Sequence, residues 1–537
     1  MRIIGHNLVS DLSYFARNGF PIPSAQFFDT EVGFQWLFPD ESDFGLEALV
    51  LGTTDMPTWR DTLGKLDFDD FEAMSDERLA RRCGGDAEAA YRLLPIAEAG
   101  LKQARLTKIW NLAMSVLPIL AEIGGRGMAV DMKALNRRAS GDAGLGVWLA
   151  KEKTALQDVL GIENVNSDIQ VAGSLFGPKF RAVPLEQTLR GWSVKKRCLF
   201  WARYHARMRK QRPLESLLTR LLTYNERDKL YSTYYRPWLE SNGRVHSLYS
   251  LGKAATGRLA SSKTNLMNVP DIARELIVPS PGYDMICQAD FKSFELAGAA
   301  HVSRDPVMID WITRGVDMHS IMASKVMGLP EPKTEAEFVD FKKKYKQQRD
   351  TGKMTMFASL YLVSAESLSW QIFEMSDGTL YLPEDEVQKY IDTLFTTFPT
   401  YDRYVDTLWA DLHAGKWIQS DFGRRWQFEP NGAGLRRATN YPVQSACSDL
   451  TILALYLIYH ELKRRKMKSR LISEVHDSVG FETTHQELKA LCQLVKEICE
   501  EVLPRKAQEM FGFTLRVPLR IDLQAGPTWG SLEEVHA

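Results

Sequence analysis

Arg349-Asp-Thr-Gly-Lys353-Met-Thr-Met-Phe357-Ala-Ser-Leu-Tyr361 sets two cations and two rings four residues apart. Each step of four on an α-helix turns a side chain by only about 40°, so the four residues form one slanting stripe roughly 18 Å long. The stripe is cationic at its N-terminal end and aromatic at the other. Cations beside helical amide donors suit a polyphosphate, and rings suit the face of a base or sugar. A nucleoside triphosphate laid along the helix fits that order. A solvated basic turn followed by core aromatics fits the same residues, so the neighbouring segments have to decide.

Upstream, Tyr283-Asp-Met-Ile-Cys-Gln-Ala-Asp290 reads as a buried strand ending on a carboxylate, and Phe291 to His301 as a helix carrying Glu295. Downstream, Arg436, Asn440 and Gln444 again stand four apart on a helix, where Pro442 predicts a kink. Arg470-Leu-Ile-Ser-Glu-Val-His476-Asp477-Ser-Val-Gly-Phe-Glu482 reads as strand, tight turn and strand, with His476 and Asp477 at the tip. An amphipathic helix over about 485–510 and a strand ending near Asp522 are expected to close the chain. Phosphoryl transfer uses two divalent cations about 4 Å apart. Magnesium takes hard oxygen ligands and keeps waters, so two carboxylates plus substrate phosphates suffice. Asp290 and Asp477 fit that need if their strands are neighbours in one sheet.

The chain has 537 residues, 45% of them hydrophobic and 25% charged, which is ordinary for two to four globular domains. Its formal net charge of -1 hides an asymmetry. Residues 1–100 carry 18 acids and 8 bases, whereas 190–236 carry 13 bases and 3 acids. The basic segment reads as long helices with rings interleaved, a composition that either grips phosphates or simply packs. The six cysteines form no CxxC pair, which points to a reduced compartment without a zinc knuckle. No signal peptide or membrane-length apolar run is read.

From about residue 105 onward the chain resembles the polymerase region of family A DNA polymerases. Thr256-Gly-Arg258-Leu-Ala-Ser-Ser with Asn265-Leu-Met-Asn268-Val-Pro is similar to the family's template–primer motif. Asp290-Phe-Lys-Ser-Phe-Glu295-Leu resembles motif A, the opening stripe motif B, and Val475-His476-Asp477 motif C. Gly526-Pro-Thr-Trp529-Gly530 resembles the closing segment. The resemblance implies an α+β right-hand fold. The thumb and connecting helices would span 106–250, a first part of the palm 251–310, the fingers 311–430 and a second part of the palm 431–537.

It also implies roles. Asp290 and Asp477 would hold two Mg²⁺ ions, with Mn²⁺ as a substitute. Lys353 and Arg349 would neutralise the triphosphate, helped by His319. Glu295 would exclude a ribose 2′-hydroxyl by bulk, Tyr361 would stack at the template-base position, and Phe357 resembles members that discriminate against 3′-deoxy nucleotides. His476 would contact the primer end, and Arg258, Arg436, Asn440 and Gln444 would line the minor groove. Asn268 and Lys229 complete the expected DNA contacts. Against the family pattern, Ser478 replaces a glutamate, Ala358 and Leu362 replace glycines, Asp350 replaces a cation, and Ser293 and Ala297 replace a glutamine and an arginine.

Residues 1–105 resemble the later part of an RNase H-like α/β 3′–5′ exonuclease domain: Gly5-His-Asn7-Leu-Val-Ser-Asp11, then Phe28-Asp29-Thr30, then Asp86. Asp11 and Asp86 would be two remaining metal ligands. The strand bearing Asp-x-Glu belongs upstream of Met1, and Arg82 stands where a tyrosine is usual, so the domain is expected to be incomplete and without proofreading. No 5′-nuclease region is read. The implied reaction is template-directed addition of deoxynucleotides to a primer 3′-hydroxyl with release of pyrophosphate. Its partners would be primer–template DNA and dNTPs. A cytoplasmic monomer, in a bacterial or phage-infected cell, is expected, and the short form leans towards phage or mobile-element replication. A processivity factor or a split exonuclease partner stays open. The rival readings are a single-subunit RNA polymerase, which Glu295 with Tyr361 disfavours, and an inactive DNA-binding scaffold, which Asp290, Lys353 and Asp477 disfavour.

Overall fold

Met285–Phe291 is the middle strand of a five-stranded sheet in the computed structural model, which describes residues 1–39, 41–59 and 73–535. The strand order is Arg470–Val475, Ser478–Thr483, Met285–Phe291, Ile521–Gly526, Glu533–Glu534, and every pairing is antiparallel. Ile286, Cys287 and Ala289 are buried, in one apolar core with Leu450, Leu453 and Ala454 of the 33-residue helix Gly432–Arg464 and with Leu491, Cys492 and Val495. Each fully buried Leu, Ile or Phe is worth roughly 1.5–3 kcal/mol, so the sheet is held to its helical backing mainly by apolar burial. Asp290, at the end of its strand, is left exposed.

Two helical arms rise on either side. Leu145–Leu160, Lys196–Met208 and Arg212–Leu230 have a core of their own, with Leu156, Leu199, Leu218 and Leu221 inward. The basic character of 190–236 therefore lies on the outside of this arm, while Phe200, Tyr224, Tyr234 and Tyr235 are buried as packing residues. The other arm is built from Met318–Met327, Lys346–Leu360, Ala365–Met375 and Glu384–Thr397. The arms touch through rings: Trp201 and Tyr204 meet Phe373 and Tyr381, and Trp201 also meets Trp370, with centroids 5.4–6.4 Å apart.

At the N-terminus, Arg2–Gly5 and Gln26–Asp29 pair in parallel across the helix Leu8–Arg17. Asp29 is completely buried and accepts from the backbone N–H of Asn7, Leu8, Glu31 and Val32, capping Thr30–Leu37 as its position predicts. Burial pushes its carboxyl up to about 7, against those hydrogen bonds. This unit shares the central core, since Leu12, Phe28, Leu93 and Trp110 belong to the same cluster as Val245 and Ile286.

Two helices, Asp76–Gln103 and Thr107–Arg126, lead from the N-terminal unit, with the turn at Arg105 in the left-handed region. Helix Gly432–Arg464 is one element with Pro442 inside it, as expected for a proline within a helix rather than at its end. Two sequence expectations shift. The helix over 485–510 starts at Leu488 and carries a π-turn at Ile498–Val502. Asp522 sits at the start of its strand, opposite Asp290, rather than at its end.

Candidate active site

Asp290 and Asp477 come together because their strands are neighbours. Asp290 lies opposite Ser478, and His476-Asp477 is the two-residue turn between Arg470–Val475 and Ser478–Thr483. His476 takes φ 59°, the left-handed conformation such a turn requires, and Ser478 Oγ closes the turn onto the Val475 carbonyl at 2.9 Å. The Phe291 N–H donates to the Asp477 carbonyl at 3.2 Å, pinning the two strand tips. Desolvation raises both carboxyls to about 6. For Asp290 the neighbouring Asp522 adds to the rise and Lys353 opposes it. For Asp477 Arg258 opposes the rise, while Glu295 and Asp290 add to it. Anionic oxygens that repel one another at a cleft mouth are a donor set suited to a hard divalent cation. Among the described residues no three His, Cys, Asp or Glu side chains converge as a metal cage, so such a cation would need oxygens from a substrate as well.

Glu295 sits beside this pair in a fixed posture. Ser293, at φ 50°, turns the chain from the strand into the helix Phe294–Ser303. One Glu295 oxygen accepts from Arg258 Nη2 and the other from Tyr361 Oη at 2.6 Å. Arg258 is held in turn by its loop. Gly257 takes φ +81° with Arg424 packed against it, so that a Cβ there would meet Arg424 Cζ at 2.7 Å. Ser448 Oγ donates to the Gly257 carbonyl, and Arg424 forks onto the buried Asp449 at 2.8–3.2 Å. Arg258 Nε is buried with no hydrogen-bond partner among the described residues.

The motif B stripe differs from its ideal at both ends. The helix stops at Leu360, and Tyr361 is its cap, turned onto Glu295, with Leu362 in the left-handed region. Arg349 is engaged by Asp317. Gly352 permits this arrangement. A Cβ there would lie 2.8 Å from Ala323 N and 2.9 Å from the His319 carbonyl, so helices Lys346–Leu360 and Met318–Met327 touch backbone to backbone. His319 is buried against Phe357, centroids 5.6 Å apart, and its Nδ1 lacks a partner among the described residues. Burial lowers its pKa to about 4, so the ring is neutral near pH 7. Lys353 is exposed on the cleft side, where its charge reaches Asp290.

The remaining predicted residues divide. Arg436, Asn440 and Gln444 share the helix Gly432–Arg464, which passes behind Glu295. Cys447 Sγ lies 3.4 Å from the Phe294 carbonyl, and Asn440 Oδ1 is buried without a partner among the described residues. His476 hydrogen-bonds the Met267 backbone next to Asn268, whose carbonyl accepts from Tyr234 Oη at 2.5 Å. Lys229 belongs elsewhere, lining a cavity of about 320 Å³ with Asn166 and Asp228. Asp11 and Asp86 line a separate cleft of about 1170 Å³ with Glu31 and Lys253, where Asp86 accepts from Trp59 Nε1 at 2.8 Å. Sequence reading missed Arg424, Asp449 and Asp522 as supports of the site. It also gave no role to Asp317, the partner of Arg349.

Residues 142–531 match the sequence model of DNA polymerase family A. The chain belongs to that family. DNA polymerase I of Geobacillus stearothermophilus is 27% identical over 432 residues, covering 76% of this chain and 44% of the relative. DNA polymerase I of Chloroflexus aurantiacus is 31% identical over 329 residues, covering 58% and 32%. DNA polymerase I of Rhizobium leguminosarum is 27% identical over 573 residues and covers 99% of this chain, N-terminal unit included, and 51% of the relative. The chain thus spans about half or less of the length of these curated relatives. Among solved structures, the POL domain of Pol1 from M. smegmatis, in complex with DNA primer-template and dNTP, superposes with a TM-score of 0.79 at 22% identity. That match covers 98% of this chain and 85% of the other. The sheet and its two arms are the α+β right-hand polymerase fold of family A.

Proposed function

We propose that this chain adds deoxynucleotides to a primer 3′-hydroxyl on a DNA template and releases pyrophosphate. The observation that carries the reading is the meeting of Asp290 and Asp477 on adjacent strand ends within reach of Lys353's charge. Two Mg²⁺ ions, or Mn²⁺ in their place, would supply activation of the primer hydroxyl and neutralisation of the phosphates. Asp290 and Asp477 would hold those ions. Lys353 and Arg349 bind the triphosphate electrostatically, and His319 donates to it as a neutral ring. Phe357 and Tyr361 face the nucleotide and the template base. Glu295, tethered at both oxygens, is a wall that cannot swing aside for a 2′-hydroxyl. Arg258, Arg436, Asn440 and Gln444 contact minor-groove acceptors that occupy similar positions in every correct pair, so they check geometry without reading sequence. His476 and Asn268 meet the primer end, and Lys229 the duplex backbone. In this reading the sheet is the palm, 145–230 the thumb arm and 318–397 the fingers arm. Asp11 and Asp86, the latter already engaged by Trp59, leave the N-terminal cleft without proofreading activity.

Primer extension on a DNA template tests the reading, with Mg²⁺ and either dNTPs or rNTPs. Extension with dNTPs is expected, and Asp477→Asn is expected to abolish it. Glu295→Ala is expected to improve rNTP use relative to dNTP by about 10-fold or more, the scale of one steric or hydrogen-bond contact. An Asp477→Asn variant as active as the parent, or equal use of both nucleotides by the parent, would sink it. Trimming of a mismatched primer by the pure chain would refute the absence of proofreading.

A further inference from the structure

Asp317 stands at the N-cap position of helix Met318–Met327, yet its side chain makes no capping hydrogen bond. An aspartate there ordinarily spends its carboxylate on the N–H groups of the first turn. Here the carboxylate turns across to the neighbouring helix. Arg349 Nε donates to Oδ2 at 2.9 Å and Nη2 to Oδ1 at 3.2 Å, a two-point fork between residues 32 apart in sequence. Ser320 Oγ donates to Oδ2 at 2.8 Å, and Lys342 Nζ lies 3.6 Å away. The side chains of Asp317 and Arg349 are 12% and 24% exposed, so the pair is sheltered from the screening that weakens surface ion pairs. Flanking cations and hydrogen bonds hold the Asp317 carboxyl down at about 2, ionised throughout the working pH range.

We propose that Asp317 is a positioning residue that fixes the Arg349 guanidinium for the triphosphate. This rests on the nucleotide-binding role given to Arg349 above. A guanidinium carries five N–H donors in a rigid plane. The fork to Asp317 uses one edge, Nε and one Nη2 hydrogen, and leaves three donors directed away from the carboxylate. Fixing that edge removes rotamer freedom that the long side chain would otherwise lose on binding phosphate. The close approach at Gly352 sets the distance between the two helices and therefore the reach of the fork. The same carboxylate lies near Lys342, so it also limits the positive charge at the cleft edge when no nucleotide is there.

A double-mutant cycle tests the proposal, using the full chain with Asp317→Asn, Arg349→Ala, the double variant and Asp317→Glu. Single-nucleotide incorporation gives KM and kcat, and equilibrium binding of dNTP and dNMP is measured in parallel. Losing the charge-assisted fork should raise KM for dNTP about tenfold with kcat changed far less. The loss of affinity should be larger for dNTP than for dNMP, because Arg349 addresses the distal phosphates. In the Arg349→Ala background Asp317→Asn should change nothing further, and Asp317→Glu should recover part of the affinity. Equal effects of Asp317→Asn with and without Arg349, or an unchanged dNTP affinity, would overturn the proposal. A merely structural role would lower thermal stability by the same amount in both backgrounds and would not separate dNTP from dNMP. If the parent fails to extend primers, the polymerase reading falls, while the binding cycle still decides whether Asp317 acts through Arg349.

Discussion

The two carboxyls at the strand ends give the residue scale a pH signature. Asp290 and Asp477 are raised to about 6 in the fold, against 3.8 for an unperturbed aspartate. A carboxyl with a raised folded pKa binds its proton more tightly in the native than in the unfolded chain. Its contribution to stability is therefore fully present below about 4 and lost as the pH rises through about 6. Divalent-cation affinity runs the other way, because the cation needs both groups ionised. Manganese binding to the nucleotide-free protein, followed by electron paramagnetic resonance, is expected to strengthen from about pH 5 and level off above about pH 7. Affinity independent of pH over that interval would mean the two carboxyls do not share the ion. Asp290, Asp477, Lys353 and Glu295 were legible in the sequence because each carries chemistry inside a recognisable motif. Arg424 and Asp449 were not. Their roles arise from a buried pairing across 25 residues that neither periodicity nor spacing records. Asp317 was not legible either, because its fork to Arg349 joins residues 32 apart, whereas an aspartate before a helix has an ordinary explanation as a cap.

At the scale of elements, the strand–turn–strand over 470–483 and the strand over 285–291 were legible because alternation and a tight turn are local signals. Tertiary context decided what local signals left open. The break at residues 104–106 and the cap at Tyr361 both depend on what the chain packs against next. The meeting of the arms is of the same kind. Trp201 lies in a basic helix whose rings fit either phosphate gripping or packing, and it packs edge-on against Trp370, Phe373 and Tyr381 of the other arm. Arg197 sits over the Trp370 ring at 5.3 Å, and Arg203 donates to the Asp377 carbonyl. Edge-on aromatic pairs contribute about 0.5–1.5 kcal/mol each beyond their buried area, so this cluster helps tie the arms together. Trp201→Ala removes the packing onto Trp370, Phe373 and Tyr381 without touching the cleft carboxylates. Fluorescence energy transfer between dyes on helices Arg212–Leu230 and Glu384–Thr397 is expected to shift towards larger separations in that variant. An unchanged distribution would show that the arms stay together without Trp201, through Tyr204 and the polar interactions.

For the whole molecule, charge is distributed so that one region must provide most of any grip on nucleic acid. The net charge of -1 combines an acidic N-terminal hundred residues with the basic segment 190–236. The acidic unit is not an appendage, because Leu12, Phe28, Leu93 and Trp110 lie in the core that also holds the sheet. Its charge therefore stays near any DNA the cleft holds, and long-range attraction has to come from the basic arm. Lysines and arginines that neutralise phosphates release condensed counterions, so log K falls linearly with log salt, by about 0.9 per neutralised phosphate on duplex DNA. Anisotropy of a labelled primer–template duplex, titrated at salt concentrations of about 50 to 200 mM, is expected to give a steep negative slope. Neutralising Lys195, Lys196 and Arg209, exposed on the basic arm, should flatten that slope by up to about one unit for each phosphate-binding cation removed. The same changes should leave the KM for dNTP near its parent value, because none of the three belongs to the helix Lys346–Leu360 proposed to bind the nucleotide. A slope near zero in the parent would place the grip in hydrogen bonds and packing at the cleft instead. A slope unmoved by the three substitutions would assign the grip to other cations, such as Lys342, Lys343, Lys344 and Lys346, which crowd the N-terminal side of the motif B helix.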